Sequence, residues 1–87
     1  MVTKDDCIEI FNSMIRGTPV SFQEKLLPMY SEYLTENNVE NSNEMINLVL
    51  QNPGLMQQVM PELVNYYSRK FEIKNIFFKN QTILYYE

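Results

Sequence analysis

The sequence predicts a small, mainly α (α+β) fold of four short helices, kinked at Pro28 and Pro61 and closed by a C-terminal antiparallel β-hairpin. Three observations carry this. Apolar side chains recur at helical spacing in four stretches between residues 3 and 70. Residues that start and stop helices bracket those stretches. From Phe71 onward the pattern changes to β-branched and aromatic residues. With 87 residues and 45% hydrophobic side chains, the chain has apolar surface for one core and is read as a single domain over 1–87.

Thr3 is placed to cap the first helix, with Asp5 and Asp6 in its first turn, Arg16 in its last and Gly17 just beyond. Cys7, Ile10, Phe11 and Met14 then form one buried stripe. After Thr18-Pro19-Val20, the tetrad Ser21-Phe22-Gln23-Glu24 reads as a capping box that opens the second helix. Its stripe is Phe22, Leu26, Met29, Tyr30 and Tyr33. Pro28 removes a backbone hydrogen bond within it, and Asn37-Asn38 ends it.

A third helix starts near Asn41 or Ser42, with Glu44 placed to close a box on Asn41, and carries Met45, Ile46, Val49 and Leu50. Asn52-Pro53-Gly54 stops it. A fourth runs from about Leu55 to Lys70, with Met56, Val59, Met60, Leu63 and Tyr67 as its stripe and Pro61 as its interruption. The methionines on these stripes read as flexible core filler. Residues 11–34 align with 45–67 so that all four prolines pair and Tyr33 meets Tyr66, which is the pattern of a duplicated helical hairpin.

The β-branched and aromatic stretches Phe71 to Phe78 and Thr82 to Tyr86 read as a hairpin over 71–87 with a four-residue loop at 79–82. That register sets Phe78 opposite Ile83, Phe77 opposite Leu84 and Lys74 opposite Glu87. Both faces are then apolar. A hairpin with water on one side alternates apolar and polar residues, so this pattern implies either helices over both faces or a face awaiting another chain.

Composition excludes several function classes. The chain has no His, no Trp and only Cys7, so the commonest general base and metal ligand are missing, and an internal disulfide is impossible. Cys7 reads as a small reduced core residue. No phosphate-cradling glycine loop, calcium loop, nucleophile elbow or zinc spacing occurs, so no enzyme activity, cofactor, metal or small-molecule substrate is expected. Residues 1–61 hold three bases against eight acids and 62–87 four against three, within a net charge of −4. Such a balance disfavours nucleic acid and anionic membrane as partners. No apolar run reaches membrane length and Met1 to Asp6 lacks the character of a signal peptide, so a cytoplasmic setting is expected. Alanine is absent while asparagine is abundant, as in an AT-rich coding sequence such as that of a phage or virus.

The functional expectation is a small acidic interaction module, a regulator, adaptor or inhibitor of another protein, with self-association as a homodimer included. Its expected contacts are Ile76, Phe78, Tyr85 and Tyr86 of the hairpin with Lys74 and Lys79 at the rim, beside the end of the fourth helix. The alternative is a winged-helix nucleic-acid binder using helix 55–70 and a wing over 71–87. Against it, Gln57 and Gln58 are the only plausible base readers near the start of that helix. The stretch from Asn52 to Met60 resembles the Asn-Pro, Leu- and Met-rich short helices of ubiquilins and Hop-like co-chaperones, which form a groove for hydrophobic segments. Met60-Pro61 replaces the later Asn-Pro of that pattern, and no function is carried over from it.

Overall fold

The computed structural model describes residues 2–73 throughout and, past them, the backbone of Ile76–Phe78 and Gln81–Ile83. Four α-helices carry the fold: α1 (Lys4–Ile15), α2 (Leu27–Glu36), α3 (Ser42–Gln51) and α4 (Met56–Lys70). Thr3 and Asp6 cap α1 reciprocally: the Asp6 N–H donates to the Thr3 hydroxyl and the Thr3 N–H to the Asp6 carboxylate, each at 3.2 Å. At the other end Gly17 takes the left-handed conformation at φ 74. Its N–H donates to Met14 O and that of Thr18 to Ser13 O, closing a Schellman motif.

The second and third helices start differently from expectation. Neither Ser21 nor Asn41 makes a side-chain cap bond. Phe22–Leu26 is a π-helical turn leading into α2, and the Ser21 carbonyl accepts from both Lys25 N–H and Leu26 N–H. This wider winding displaces the N–H groups that a capping box needs. It also explains how Pro28 is tolerated, because the proline ring crowds the carbonyl four residues back and the π turn spreads that region. Asn41, at φ −99 and ψ 34, is not extended, which leaves its side chain out of capping position. A 3-10 turn over Pro53–Leu55 precedes α4, which runs as one helix over its expected span with Pro61 inside it. The carbonyl freed by Pro61 belongs to Gln57, an exposed residue whose backbone water can reach.

Asn38 at φ 54 ends α2, and Glu72 at φ 57 ends α4. Both close Schellman bonds, from Val39 N–H to Leu34 O and from Ile73 N–H to Ser68 O. Phe71-Glu72-Ile73 is therefore a helix end rather than the expected start of a strand, because the Ile73 N–H is spent on the helix. The α+β class is corrected accordingly: residues 2–73 hold helices and turns and no strand, so the fold is mainly helical. Ile76–Phe78 and Gln81–Ile83 pair antiparallel with Ile76 opposite Ile83 and Phe78 opposite Gln81. This differs from the expected register, since the pairing closes over residues 79 and 80 instead of a four-residue loop. The side chains of 74–87, and with them the expected apolar hairpin faces, lie outside the described residues.

Cys7, Ile10 and Phe11 of α1 meet Met29, Tyr30 and Leu34 of α2 and the inner face of α4 in one buried cluster. Burial pushes the Cys7 thiol up to about 12, with the charges of Asp6 and Glu32 adding to the effect and Lys70 opposing it. The thiol is thus held protonated. α3 is more loosely held. Val49 alone is fully buried on it, while Leu50 of the expected stripe is 40% exposed and Leu48 is 56% exposed.

The π turn and α2 span 5 and 10 residues against 15 for α4, and the rings of Tyr33 and Tyr66 meet at 5.2 Å.

Candidate functional site

Between the end of α1 and the start of α2 the chain crosses from Gly17 through Pro19 and Val20 into the π turn. Beside this irregular stretch lie three cavities that share lining residues, Pro19 and Val20 between the first two and Glu9, Ile10 and Lys25 between the second and third. The first, about 380 Å³, lies among Met14, Val20, Phe22, Leu26, Met56 and Met60. Among the described residues no charged side chain lines it. The second, about 240 Å³, also holds Ser13 and Ser21. The third, about 390 Å³, is flanked by Asp6 and Glu24 over an apolar floor that includes Pro28 and Met29. Lys25 Nζ lies 3.0 Å from Glu9 Oε1 with both side chains well exposed, so water screens the pair.

The local sequence explains the apolar cavity. Met56 and Met60 are buried, one turn apart on α4, and Met14 is half-buried in the last turn of α1. Thioether chains are unbranched and adapt to differently shaped neighbours. Phe22 and Leu26 come from the π turn, a form of winding found frequently at functional sites. Pro19 and Pro53 stiffen the rim.

A second, more open depression of about 570 Å³ lies at the C-terminal ends of α2 and α4, lined by Tyr33, Glu62, Tyr66, Arg69 and Lys70 among others. Beneath it is a polar bolt. The fully buried Tyr67 hydroxyl lies 2.9 Å from Met29 O and 3.0 Å from Glu32 Oε1. Glu32 also accepts from the Val2 N–H at 3.4 Å, and Lys70 Nζ lies 3.4 Å from Glu32 and 2.9 Å from Glu36. Burial pushes the Glu32 carboxyl up, but the Tyr67 hydroxyl, the Val2 N–H and Lys70 together outweigh it and hold it below the usual carboxylate range. Burial and the same carboxylate push the Tyr67 phenol up. The ammonium of Lys70 also lies 5.6 to 5.8 Å from the rings of Phe71, Tyr66 and Tyr67. Its bonding is directed inward, so this cluster ties α2 to α4 and to the start of the chain.

Among the expected contacts, Lys74, Lys79, Tyr85 and Tyr86 lie outside the described residues, and Ile76 and Phe78 are described by backbone alone. The residues of the apolar cavity were read from sequence only as core stripe or loop. The half-buried positions on it, Met14, Val20 and Phe22, fall on three different segments, and no one-dimensional pattern joins them. Among the described residues no His, Cys, Asp and Glu grouping fit to hold a metal occurs, and no helix is long and apolar enough to cross a membrane. No family model, curated protein or solved structure matches the chain.

Proposed function

We propose that the protein is a non-enzymatic protein-binding module whose contact site is the methionine-lined cavity beside α1. The observation that carries this reading is the uncharged apolar cavity, about 380 Å³ and walled by three methionines and Phe22, in a chain whose residues are 21% charged. An open concave site of this kind favours aliphatic or aromatic side chains of a partner, and apolar anchors in pockets are where binding energy concentrates. The cavity that holds Ser13 and Ser21 also holds Lys25, whose ammonium is paired with Glu9 and is held as a charged group rather than a free base, which supports binding over catalysis. It also moves the site from the C-terminal hairpin to a surface built by the helices.

Val20 is half-exposed and lines both the apolar cavity and the second one. Val20→Glu therefore places a charge in the site without opening the core. A random peptide library panned on the wild-type protein should yield ligands with spaced apolar anchors. The Val20→Glu variant, matched in circular dichroism and melting temperature, should lose them by at least about tenfold, a difference of about 1.4 kcal/mol. Equal retention by both proteins contradicts the site.

A further inference from the structure

We infer that the π turn over Phe22–Leu26 is a one-residue insertion in one of two copies of a duplicated helical hairpin, and that this extra residue sets the shape of the methionine-lined cavity. The second half rests on the reading of that cavity as a binding site, and the first stands without it.

The spacing of the prolines locates the insertion. Pro28 follows Pro19 by nine residues, whereas Pro61 follows Pro53 by eight. Aligned on Pro19 and Pro53, Phe22 matches Met56 and Leu26 matches Met60. Aligned on Pro28 and Pro61, Tyr30 matches Leu63, Tyr33 matches Tyr66 and Leu34 matches Tyr67. The extra residue therefore falls between Pro19 and Pro28, and the π turn lies in that interval. A π turn is the form an α-helix takes when it absorbs one residue: the Leu26 N–H reaches back five residues to Ser21 O, and the Leu27 N–H five to Phe22 O. Pro61 lies in ordinary α winding, so a proline by itself does not produce the wider turn.

The packing of the helices supports two copies. α1 packs against α4 and α3 against α2, and each contact becomes the other when the hairpins are exchanged. α2 and α4 also run in the same direction. Leu26 and Met60, at equivalent places near their starts, line the same cavity with Pro19 and Pro53. Tyr33 and Tyr66, again equivalent, meet at 5.2 Å and line the depression at their far ends. Tyr30 and Leu63 are both buried, as are Leu34 and Tyr67.

The insertion falls where the two copies meet at the cavity. Met56 and Met60 stand on successive turns of α-helix and are both buried. Phe22 and Leu26 have the same spacing within a wider turn, and Phe22 stays half-buried on the cavity wall. In an α-helix, one residue more or less rotates everything beyond it by about 100°. The π turn takes up the extra residue locally, so Pro19 keeps its place at the cavity while Tyr30 and Leu34 keep theirs in the core. α4 has no such reserve.

Deletion of Gln23 tests both halves, with deletion of Gln57 as its counterpart in α4, since both side chains are exposed. Removing Gln23 should tighten the π turn to α winding and leave the flanking helix in register. Its melting temperature should be no lower than that of wild type, because a rarely adopted winding gives way to the regular one. Removing Gln57 should lower the melting temperature sharply, as Met56 rotates by about 100° out of its buried site. A Gln23 deletion that fails to fold, or melts as low as the Gln57 deletion, overturns the insertion. Peptides panned on the wild-type protein should bind the folded Gln23 deletion about tenfold or more weakly. Phe22 and Leu26 then stand three residues apart instead of four, and the cavity wall closes up. Equal binding, with Val20→Glu still weakening it, overturns the shaping role and keeps the cavity as the site. Binding insensitive to both changes overturns the site and the shaping role together, while the melting temperatures still decide the insertion.

Discussion

Tyr67→Ala is expected to lower stability by about 3–5 kcal/mol, and Tyr67→Phe by about 1–3 kcal/mol. The first change empties a fully buried site packed between Tyr66 and Phe71, whose rings lie 4.9 and 6.1 Å away. The second keeps the ring and removes only the hydroxyl shared by Met29 O and Glu32. A buried acceptor that loses its donor retains its desolvation cost, which is why even the conservative change is expensive. A domain of this length has roughly 4–13 kcal/mol in total, so the alanine variant should lose a large share of its stability. Urea unfolding followed by circular dichroism reads both. A phenylalanine variant as stable as the parent contradicts the role assigned to the hydroxyl.

Acid should destabilise the protein through Glu32, and Glu32→Gln should flatten that dependence. The Glu32 carboxyl is held below its ordinary value in the folded state, so the unfolded chain takes up the proton first as pH falls. The stabilisation is complete above the unfolded carboxylate range, near pH 4 to 5, and is lost as pH falls through the lower folded value. Hydrogen bonds to a charged acceptor contribute about 1.5–3 kcal/mol, which sets the scale of the loss. Melting temperatures taken across the acid range for wild type and Glu32→Gln measure it. An acid limb equally steep in both proteins assigns the effect to other carboxylates.

Both predictions concern contacts that join residues far apart in the chain, and this separates what was legible in the sequence from what was not. The start of α1 at Thr3, its end at Gly17 and the stop at Asn37-Asn38 follow from local backbone chemistry, and the structure shows caps or left-handed residues there. Stripe positions such as Ile10, Met29, Met60 and Leu63 are buried as helical spacing requires. The misreadings also have local causes. Asn41 carries the side chain of a cap without the backbone of one, whereas Ser21 has the extended backbone of a cap but opens a π turn, which has no residue signature. The end of α4 at Lys70 was legible, but Glu72 occupies a left-handed position usually held by glycine, so Phe71 looked like the start of a strand rather than part of the helix end. Leu50 fits a buried stripe, yet α3 has too few neighbours to cover it. The apolar cavity depends on how α1, the π turn and α4 come together, and periodicity within any one of them does not encode it.

The central claim, that the methionine-lined cavity receives a partner's apolar side chains, is tested most directly through the methionine methyl groups. With those methyls isotopically labelled, titration of an uncharged, leucine-bearing helical peptide recovered by the panning should move the signals of Met14, Met56 and Met60. Met45, on α3 and outside the cavity, should stay in place. Shifts confined to Met45, or none at any methionine while the helix binds, would contradict the claim and place the binding surface elsewhere on the molecule.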